Sequence, residues 1–373
     1  MPTLKLYNDK IRDFCSFLRF SLDDNLPVPD CVERIKWSEL LDFARKQSIV
    51  SVMFHGMQRI VDHANKPTDD DVLQWYGDVK VWREKSKLAF ELSSKVVKNF
   101  EIEGFRSCIL KGQGNALLYS DPYIRQSGDI DVWVEGIDND IIRYIHRLSP
   151  GAKACYHHID FPRFKKAAVE VHYRPSFLHN PIYNYRLQKF FTEKASLQFA
   201  NKVALSDNLG SIFAPTASFN RIYLLSHIAN HLLREGIGLR HLCDYYLLLK
   251  SYDIVNTDER EREHAILRRC GLMPVARSVA YIMDKVFCLS PDCQIVEPDK
   301  RRGRFLLNEI ISGGNFGHHD NRLGSMPTTN PFLHNIQRLY RDVRMALFFP
   351  SETLCEPFFR LYHYFWRRKH SKI

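Results

Sequence analysis

The sequence predicts an α+β fold in which a small mixed β-sheet lies between two helical regions. Residues 1–100 repeat apolar side chains at helical spacing, the middle third alternates short apolar strands with helices, and the remainder is again mostly helical. We therefore expect three parts. These are an N-terminal helical region over 1–100, a mixed core over 101–200 and a C-terminal helical region with a basic tail over 201–373.

Helical patterns occur at three places in the N-terminal region. Apolar residues recur at helical spacing from Trp37 to Ala44 and again from Val50 to Val61, and a longer pattern runs from Val72 towards Phe100. Three acidic residues, 69–71, come just before the long pattern. Because the backbone dipole of a helix favours negative charge at its N-terminus, these acids indicate that the third helix begins there.

The middle of the chain alternates between strand and helix patterns. Short apolar or alternating segments predict strands, and the more polar segments between them predict helices and turns. The predicted strands are 106–110, 128–135, 154–161 and 167–173, and the predicted helical segments are 111–119 and 138–148.

The C-terminal region is expected to be helical, with one loop-rich interval. Two helices are predicted over 217–249, broken at 236–238, and a further helical stretch over 251–300, whereas 303–330 is predicted to be loop-rich. In the tail, apolar side chains recur with the period of a helix packed on a core. They are Phe358, Leu361, Tyr362, Phe365 and Trp366.

Composition excludes several classes of protein. Of 373 residues, 45% are hydrophobic and 26% charged, as in ordinary globular proteins, which excludes a disordered chain. No apolar run reaches the ~18 residues of a membrane span, so no integral membrane association is expected. The nine cysteines are odd in number and form no C-x-x-C pair, so we expect a cytoplasmic protein without a disulfide framework. The net charge of +10 favours a polyanionic partner such as a nucleotide, nucleic acid or anionic membrane surface.

The most informative segment is the predicted strand that contains Asp129 and Asp131. Side chains alternate along a strand, so these two carboxylates project from the same face. A divalent cation relieves their repulsion, and Mg²⁺ prefers carboxylate oxygens together with substrate phosphates. Glu170 alternates with valines on a later strand and becomes a third acid of the same cluster if the two strands are neighbours. The alternative is a pair of solvent-facing strand acids.

A second motif, Lys111-Gly112, ends the preceding strand and opens a helical stretch. Glycine at a helix start lets a phosphate approach the backbone N–H groups, and the lysine adds a positive charge. Arg125 stands four residues before Asp129, across a turn that contains Gly128, and could reach the same site. Simple turn chemistry is the competing interpretation. The sequence has neither G-x-x-x-x-G-K-[ST] nor G-x-G-x-x-G, which excludes a P-loop and leaves a dinucleotide-binding fold unsupported.

These motifs resemble those of a known family. The stretch Ile109-Leu110-Lys111-Gly112, with Asp121-Pro122, Arg125 and Gly128-Asp129-Ile130-Asp131-Val132, is similar to the uncharacterised nucleotidyltransferase family of the DNA polymerase beta-like superfamily. The later segment 169–174 is similar to its third-carboxylate strand, and the tail from 350 to 369 to that of bacterial members. Lys-Gly stands where many relatives have Gly-Gly or Gly-Ser, and the third acid is Glu where they have Asp.

The resemblance implies an activity and roles for individual residues. Asp129, Asp131 and Glu170 would be catalytic and bind Mg²⁺ or Mn²⁺, and the substrate would be an NTP, with ATP expected. The residues implied in nucleotide binding are Lys111, Gly112, Arg125, Gly128 and Arg240. The reaction would transfer a nucleoside monophosphate and release pyrophosphate. The acceptor is left open: a small molecule, a protein or RNA.

Other readings of the same residues remain open. His227 and His231, four apart on one helix face, lack the glutamate of HExxH, so they are either core-edge histidines or contacts to nucleotide or acceptor. Arg240 and Asp244, also four apart, have the spacing of a helix ion pair. The alternative function is a non-catalytic nucleotide- or nucleic-acid-binding module with a degenerate site. A phosphotransferase using Asp131 is a third, but no matching catalytic-loop motif is present.

Overall fold

The N-terminal part of the chain is helical in the computed structural model, which describes residues 7–60, 62–234, 236–251, 257–315 and 342–370. Its helices are α1 (Asp9–Leu22), α2 (Trp37–Gln47), α3 (Val50–Gln58) and α4 (Asp69–Ile102). The long helix α4 begins where the acidic residues predicted it. The side chain of Thr68 accepts the backbone N–H of Asp71, whose carboxylate in turn accepts the Thr68 N–H, a reciprocal cap that fixes the first turn.

The middle of the chain forms a four-stranded mixed sheet, which confirms the predicted α+β class. Its elements are β1 (Ser107–Leu110), α5 (Gly112–Ala116), β2 (Ile130–Val134), α6 (Asp138–Leu148), β3 (His158–Asp160) and β4 (Val169–His172). The strand order is β1-β2-β4-β3. The central pair β2–β4 is parallel and the two outer pairs are antiparallel.

The remaining elements are helical apart from one short hairpin. They are α7 (Pro181–Gln198), β5 (Lys202–Ala204), β6 (Ser211–Phe213), α8 (Ala217–Arg234), α9 (Leu239–Lys250), α10 (Thr257–Arg269), α11 (Met273–Phe287), α12 (Lys300–Gly313) and α13 (Pro350–His370). The break between α8 and α9 lies at the predicted glycine pair. Sequence patterns did not predict α7 or the β5–β6 hairpin. None of the described helices is both long and apolar enough to cross a bilayer.

The two faces of the sheet contribute to different parts of the core. On one face, Ile130, Val132 and Val134 of β2 pack in a cluster that includes Phe100 of α4 and Ile145 of α6. Trp133 on the opposite face joins a larger cluster that also contains side chains from both the N-terminal and the C-terminal helices. Strand alternation therefore turns the Asp131 face of the sheet away from α6.

The prediction of a loop-rich segment over 303–330 is wrong for its first part, where α12 extends to Gly313. Leu306, Leu307 and Ile310 are buried along this helix. Gly303 is a contact point between two helices, because a Cβ there would lie 2.4 Å from the Cβ of Tyr281. The glycine lets α12 approach α11. Residues 316–330 lie outside the described part of the chain.

The predicted packing face of the C-terminal tail is also largely wrong. Phe358, Leu361 and Phe365 are 76%, 59% and 59% exposed, whereas Trp366 is buried as predicted. The helix α13 packs through a neighbouring stripe, on which Phe359 stacks on Phe177 with ring centroids 4.9 Å apart. The helical period was correct, but periodicity alone did not reveal which stripe meets the core.

A buried carboxyl at the start of α13 leads to a pH-dependent prediction. Glu352 accepts the backbone N–H of His179 at 2.6 Å, and burial raises the pKa of Glu352 from 4.5 to about 7. The folded state therefore binds this proton more tightly than the unfolded state. As pH rises from about 4.5 to 7, the unfolded carboxyl ionises first, so the wild-type protein loses stability by up to ~1.4 kcal/mol per pH unit.

Glu352→Gln keeps the acceptor oxygen and removes the titration. This variant should therefore become more stable relative to the wild type as pH rises from 4.5 to 7. Above pH 7 the difference between their unfolding free energies should stay constant. Urea unfolding of both proteins across this range measures the difference. Glu193→Gln, at an exposed carboxylate of α7, serves as the matched control. Parallel curves for Glu352→Gln and the wild type would show that folding does not shift the pKa of this carboxyl.

Candidate active site

The centre of the site is a pair of acids on the two parallel strands. Asp131 of β2 and Glu170 of β4 are register partners, so their side chains leave the same face of the sheet next to each other. The two acids and His172 each offer a ligand atom within 4.8 Å of the others. Asp131 is buried and Glu170 is half-buried. The sheet thus brings together the two acids that the sequence placed on separate strands.

Asp129 lies one residue before β2, at the edge of the same cluster. The neighbouring carboxylate of Asp131 raises the pKa of Asp129, although the Asp129 residue is exposed. A raised pKa is what two nearby carboxyl groups show when no cation separates them. A divalent cation bound between Asp129 and Asp131 would relieve this repulsion.

Lys111 neutralises Asp131 across the mouth of the site. Its Nζ lies 2.8 Å from Asp131 Oδ2 and 3.4 Å from His227 Nε2. Burial alone lowers the pKa of Lys111, but the carboxylates of Asp131 and Asp129 outweigh burial and raise it. Lys111 also has φ 50°, in the left-handed region that favours glycine. Lys111 thus has a backbone conformation that is unfavourable for a residue with a side chain.

His172 completes the neutralisation of Asp131 from the other side. Its Nε2 is hydrogen-bonded to Asp131 Oδ1 at 2.8 Å and lies 3.5 Å from Glu170 Oε2. Burial alone lowers the pKa of His172, but these two carboxylates raise it to about 9. Burial would likewise raise the pKa of Asp131, yet Lys111 and His172 hold it well below its ordinary value. Sequence analysis missed His172, although its position two residues after Glu170 indicates the same face.

Arg125 and Arg240 lie beside the site with partners different from those expected. Arg125 is buried and forms two hydrogen bonds to Asp244, at 2.8 and 2.7 Å, and Tyr119 donates to the same carboxylate at 2.8 Å. Arg240 instead donates to the backbone oxygen of Gln126 at 2.9 Å. The predicted Arg240–Asp244 ion pair is therefore wrong. Because α9 faces the 125–126 segment, the carboxylate of Asp244 meets a partner distant in sequence.

Two adjoining cavities meet at the acids. A narrow one of about 50 Å³ is lined by Lys111, Gly112, Arg125, Gly128, Asp129, Asp131 and Arg240, together with residues of α8 and α9. A larger one of about 490 Å³ shares Lys111 and the two aspartates and extends past Glu170 to α13. The predicted site residues therefore line these two adjoining cavities. Only the larger cavity has the size of a small-molecule site.

The two histidines of α8 face this space. His227 and His231 line both cavities, and their ring centroids are 4.3 Å apart. Burial, followed by the charge of Lys111, holds the pKa of His227 well below its ordinary value, so this imidazole is neutral at pH 7. A neutral His227 can accept a hydrogen bond from the Lys111 ammonium. This position on the wall of the site agrees with both of the interpretations that the sequence left open.

Comparison with known proteins identifies the class. Residues 33–287, more than half of the chain, match the family described as uncharacterised nucleotidyltransferase. The chain belongs to this family, and the acids, Lys111 and Gly112 all lie within the matched residues. Family membership supports nucleotidyl transfer as the general class of activity.

Other comparisons add little. No match was found among curated proteins. One matching solved structure is described as an antigenic nucleotidyltransferase-like protein from Paracoccidioides brasiliensis. The match covers 50% of this chain and 91% of that chain, with 14% identity and a TM-score of 0.29. At that TM-score the likeness carries no argument about fold or function.

Proposed function

We propose that this protein is a metal-dependent nucleotidyltransferase that moves a nucleoside monophosphate from an NTP, with ATP as the expected substrate, to an acceptor and releases pyrophosphate. The observation that carries the proposal is the register of β2 and β4, which sets Asp131 beside Glu170 and opposite Lys111. In a chain of this family, that arrangement puts a cation-binding carboxylate pair next to a positive charge suited to phosphate.

The donor set fits a divalent cation. Asp131 and Glu170 supply carboxylate oxygens on one face, Asp129 adjoins them, and oxygen ligands of this kind suit Mg²⁺ or Mn²⁺. These three acids would hold the ions. When bound, such ions neutralise phosphate charge and polarise the phosphorus centre under attack. His172 orients Asp131 through its 2.8 Å hydrogen bond, and the ordered strands keep both acids fixed.

The nucleotide would place its phosphates towards Lys111 and Gly112. Gly112 has φ +34°, and a Cβ built there would meet nothing within 4 Å, so the backbone at this point is open to a ligand. Arg240 and Gly128 border the same narrow cavity, but Arg125 is already engaged by Asp244 and would contribute mainly positive potential. Because the narrow cavity is too small for a nucleotide, the base and ribose would occupy the cavity of about 490 Å³.

The proposal is tested with wild-type protein, Mg²⁺ and each of the four NTPs labelled at the α-phosphate. Binding should require the metal, and in the presence of cellular RNA, protein or a small-molecule extract the label should move to one acceptor class as pyrophosphate appears. Binding without metal dependence and without transfer to any acceptor would support the non-catalytic binding module instead. Absence of NTP binding would overturn the proposed activity and leave only the nucleic-acid-binding form of the alternative.

Lys111→Ala should weaken Mg²⁺-dependent NTP binding by about tenfold or more. A charge-assisted contact to a phosphate contributes ~1.5–3 kcal/mol, and ~1.4 kcal/mol corresponds to tenfold in affinity. Isothermal titration calorimetry measures this loss. Lys111→Gly separates the loss of charge from the relief of backbone strain, because glycine adopts φ 50° without penalty. This variant should lose as much NTP affinity as Lys111→Ala.

A lysine outside the site gives the matched control. Lys165→Ala, in the exposed turn between β3 and β4, should leave NTP affinity unchanged. If Lys111→Ala binds as tightly as the wild type, the phosphates are held by the backbone at Gly112 alone or do not lie at this end of the site.

A further inference from the structure

Three histidines form a compact nitrogen cluster on the wall of the larger cavity. His157, His158 and His172 each offer one ring nitrogen within 4.8 Å of the other two. His157 Nε2 lies 3.1 Å from His158 Nδ1, and Glu170 Oε2 lies 3.3 Å from His158 Nδ1 and 3.5 Å from His172 Nε2. The cluster lies beside the acids of the proposed active site and uses mostly different residues.

The fold explains why these histidines meet. His158 of β3 is the register partner of His172 of β4, so the two imidazoles leave the same face of the sheet. The chain reverses just before β3, where the N–H of Cys155 donates to the carbonyl oxygen of His158. This turn shortens the strand predicted over 154–161 and brings His157 against its neighbour.

The outer nitrogen of His172 has a backbone carbonyl as acceptor, the kind of partner that orients metal-binding histidines, and the outer nitrogen of His158 lies near a thiol. His172 Nδ1 lies 3.3 Å from the carbonyl oxygen of Arg174, and His158 Nε2 lies 3.4 Å from Cys155 Sγ and 4.0 Å from Asp160 Oδ1. Such partners hold the outer N–H and leave the inner nitrogen to coordinate. The inner atoms, His172 Nε2 and His158 Nδ1, are the ones that face Glu170.

Three of the donor–donor separations are close to those expected around a tetrahedral ion. Ligands at the 2.0–2.1 Å typical of zinc–nitrogen bonds lie roughly 3.3–3.4 Å apart at the corners of a tetrahedron. The measured separations of 3.1, 3.3 and 3.5 Å fall on either side of that value. Imidazole nitrogens select zinc and related transition metals, whereas Mg²⁺ prefers oxygen ligands alone.

We propose that His157, His158 and His172, with the carboxylate of Glu170, bind one divalent transition-metal ion of the zinc class. The site shares Glu170 with the proposed Mg²⁺ site and adjoins Asp131 through His172, but binding of its ion does not depend on nucleotidyl transfer. When the ion binds, it replaces the proton in the hydrogen bond between His172 Nε2 and Asp131. The ion would lie on the wall of the 490 Å³ cavity, in reach of a bound substrate.

Titration of chelator-treated full-length protein with Co²⁺ alone, without nucleotide, tests this proposal. One equivalent should bind and give the intense visible bands of tetrahedral cobalt, which Zn²⁺ should displace and excess Mg²⁺ should not. His157→Ala and His158→Ala should each lower Co²⁺ affinity by about 100-fold or more, because even partners outside the coordination sphere cost 10- to 100-fold. Both residues are only half-buried, and unfolding curves verify that each variant is folded.

Two further variants separate this proposal from the proposed function. His146→Ala, on α6 and outside the cluster, should bind Co²⁺ like the wild type. Asp129→Asn should lose Mg²⁺-dependent transfer and keep the cobalt spectrum. If the wild type gives no tetrahedral bands, or if folded His157→Ala and His158→Ala bind as tightly as the wild type, the histidine site is refuted whatever the outcome for nucleotidyl transfer.

Discussion

Asp131→Asn is expected to lower the rate of nucleoside monophosphate transfer by on the order of 10²- to 10³-fold. Metal ions stabilise the transition state by several kcal/mol, and each ~1.4 kcal/mol changes a rate tenfold. Asp131 is the acid at the centre of the cluster, since it contacts Lys111 at 2.8 Å and His172 at 2.8 Å and is the register partner of Glu170. An amide of the same size removes the charge that holds a cation and leaves the shape.

The measurement is the initial rate of pyrophosphate release with the acceptor class identified for the wild type. Two buried cations lose their counter-charge in this variant, so its thermal unfolding is followed in parallel. Asp140→Asn removes an exposed carboxylate on α6, paired only with Arg143 at the surface, and should retain full activity. A folded Asp131→Asn protein with wild-type activity would show that this acid holds no catalytic ion.

Asp244→Ala is expected to destabilise the fold by ~3–5 kcal/mol, the cost of leaving one partner of a buried ion pair alone. Asp244 is 3% exposed and accepts two hydrogen bonds from Arg125, which is 6% exposed, and one from Tyr119. Without the carboxylate, a guanidinium and a hydroxyl remain buried beside the active site. The pair also ties α9 to the segment that precedes β2, so its loss should loosen the approach to the acids.

Urea unfolding of the wild type, Asp244→Ala and the double variant Arg125→Met, Asp244→Leu measures this effect. The double variant should regain most of the lost stability, because apolar side chains of similar volume can replace a buried pair at little cost. Glu193→Ala removes one partner of the exposed Lys189–Glu193 pair and should change stability by less than ~1 kcal/mol. An equally small change for Asp244→Ala would mean that water reaches Arg125 freely.

The other three predictions concern Lys111, Glu352 and the histidine cluster. They differ in how much of each could be predicted from the sequence. Lys111 was predicted because it stands beside a glycine at the end of a strand, which is a local pattern. Glu352 and His157 have no local signal. Glu352 owes its properties to the packing of the start of α13 against the backbone at His179, and His157 owes its position to the chain reversal before β3.

The sequence by itself determined the family, the α+β class and the local placement of the acids. Strand alternation puts Asp131 on the face opposite Ile130 and Val132 whatever the surroundings, because the period of two is a property of the extended backbone. The same holds for the start of α4, where capping groups lie three residues apart. Features of this kind depend on neighbours in the chain, which the sequence displays directly.

Only the tertiary structure decided which distant groups meet. The parallel pairing of β2 with β4 makes Glu170 the neighbour of Asp131. The packing of α9 places Asp244 in hydrogen-bond contact with Arg125, 119 residues away, instead of with Arg240. The exposed face of α13 was likewise mispredicted, since a helical period does not say which stripe is covered. Burial and long-range pairing depend on how whole elements pack, and this packing also sets the pKa of His172 and the separations within the histidine cluster.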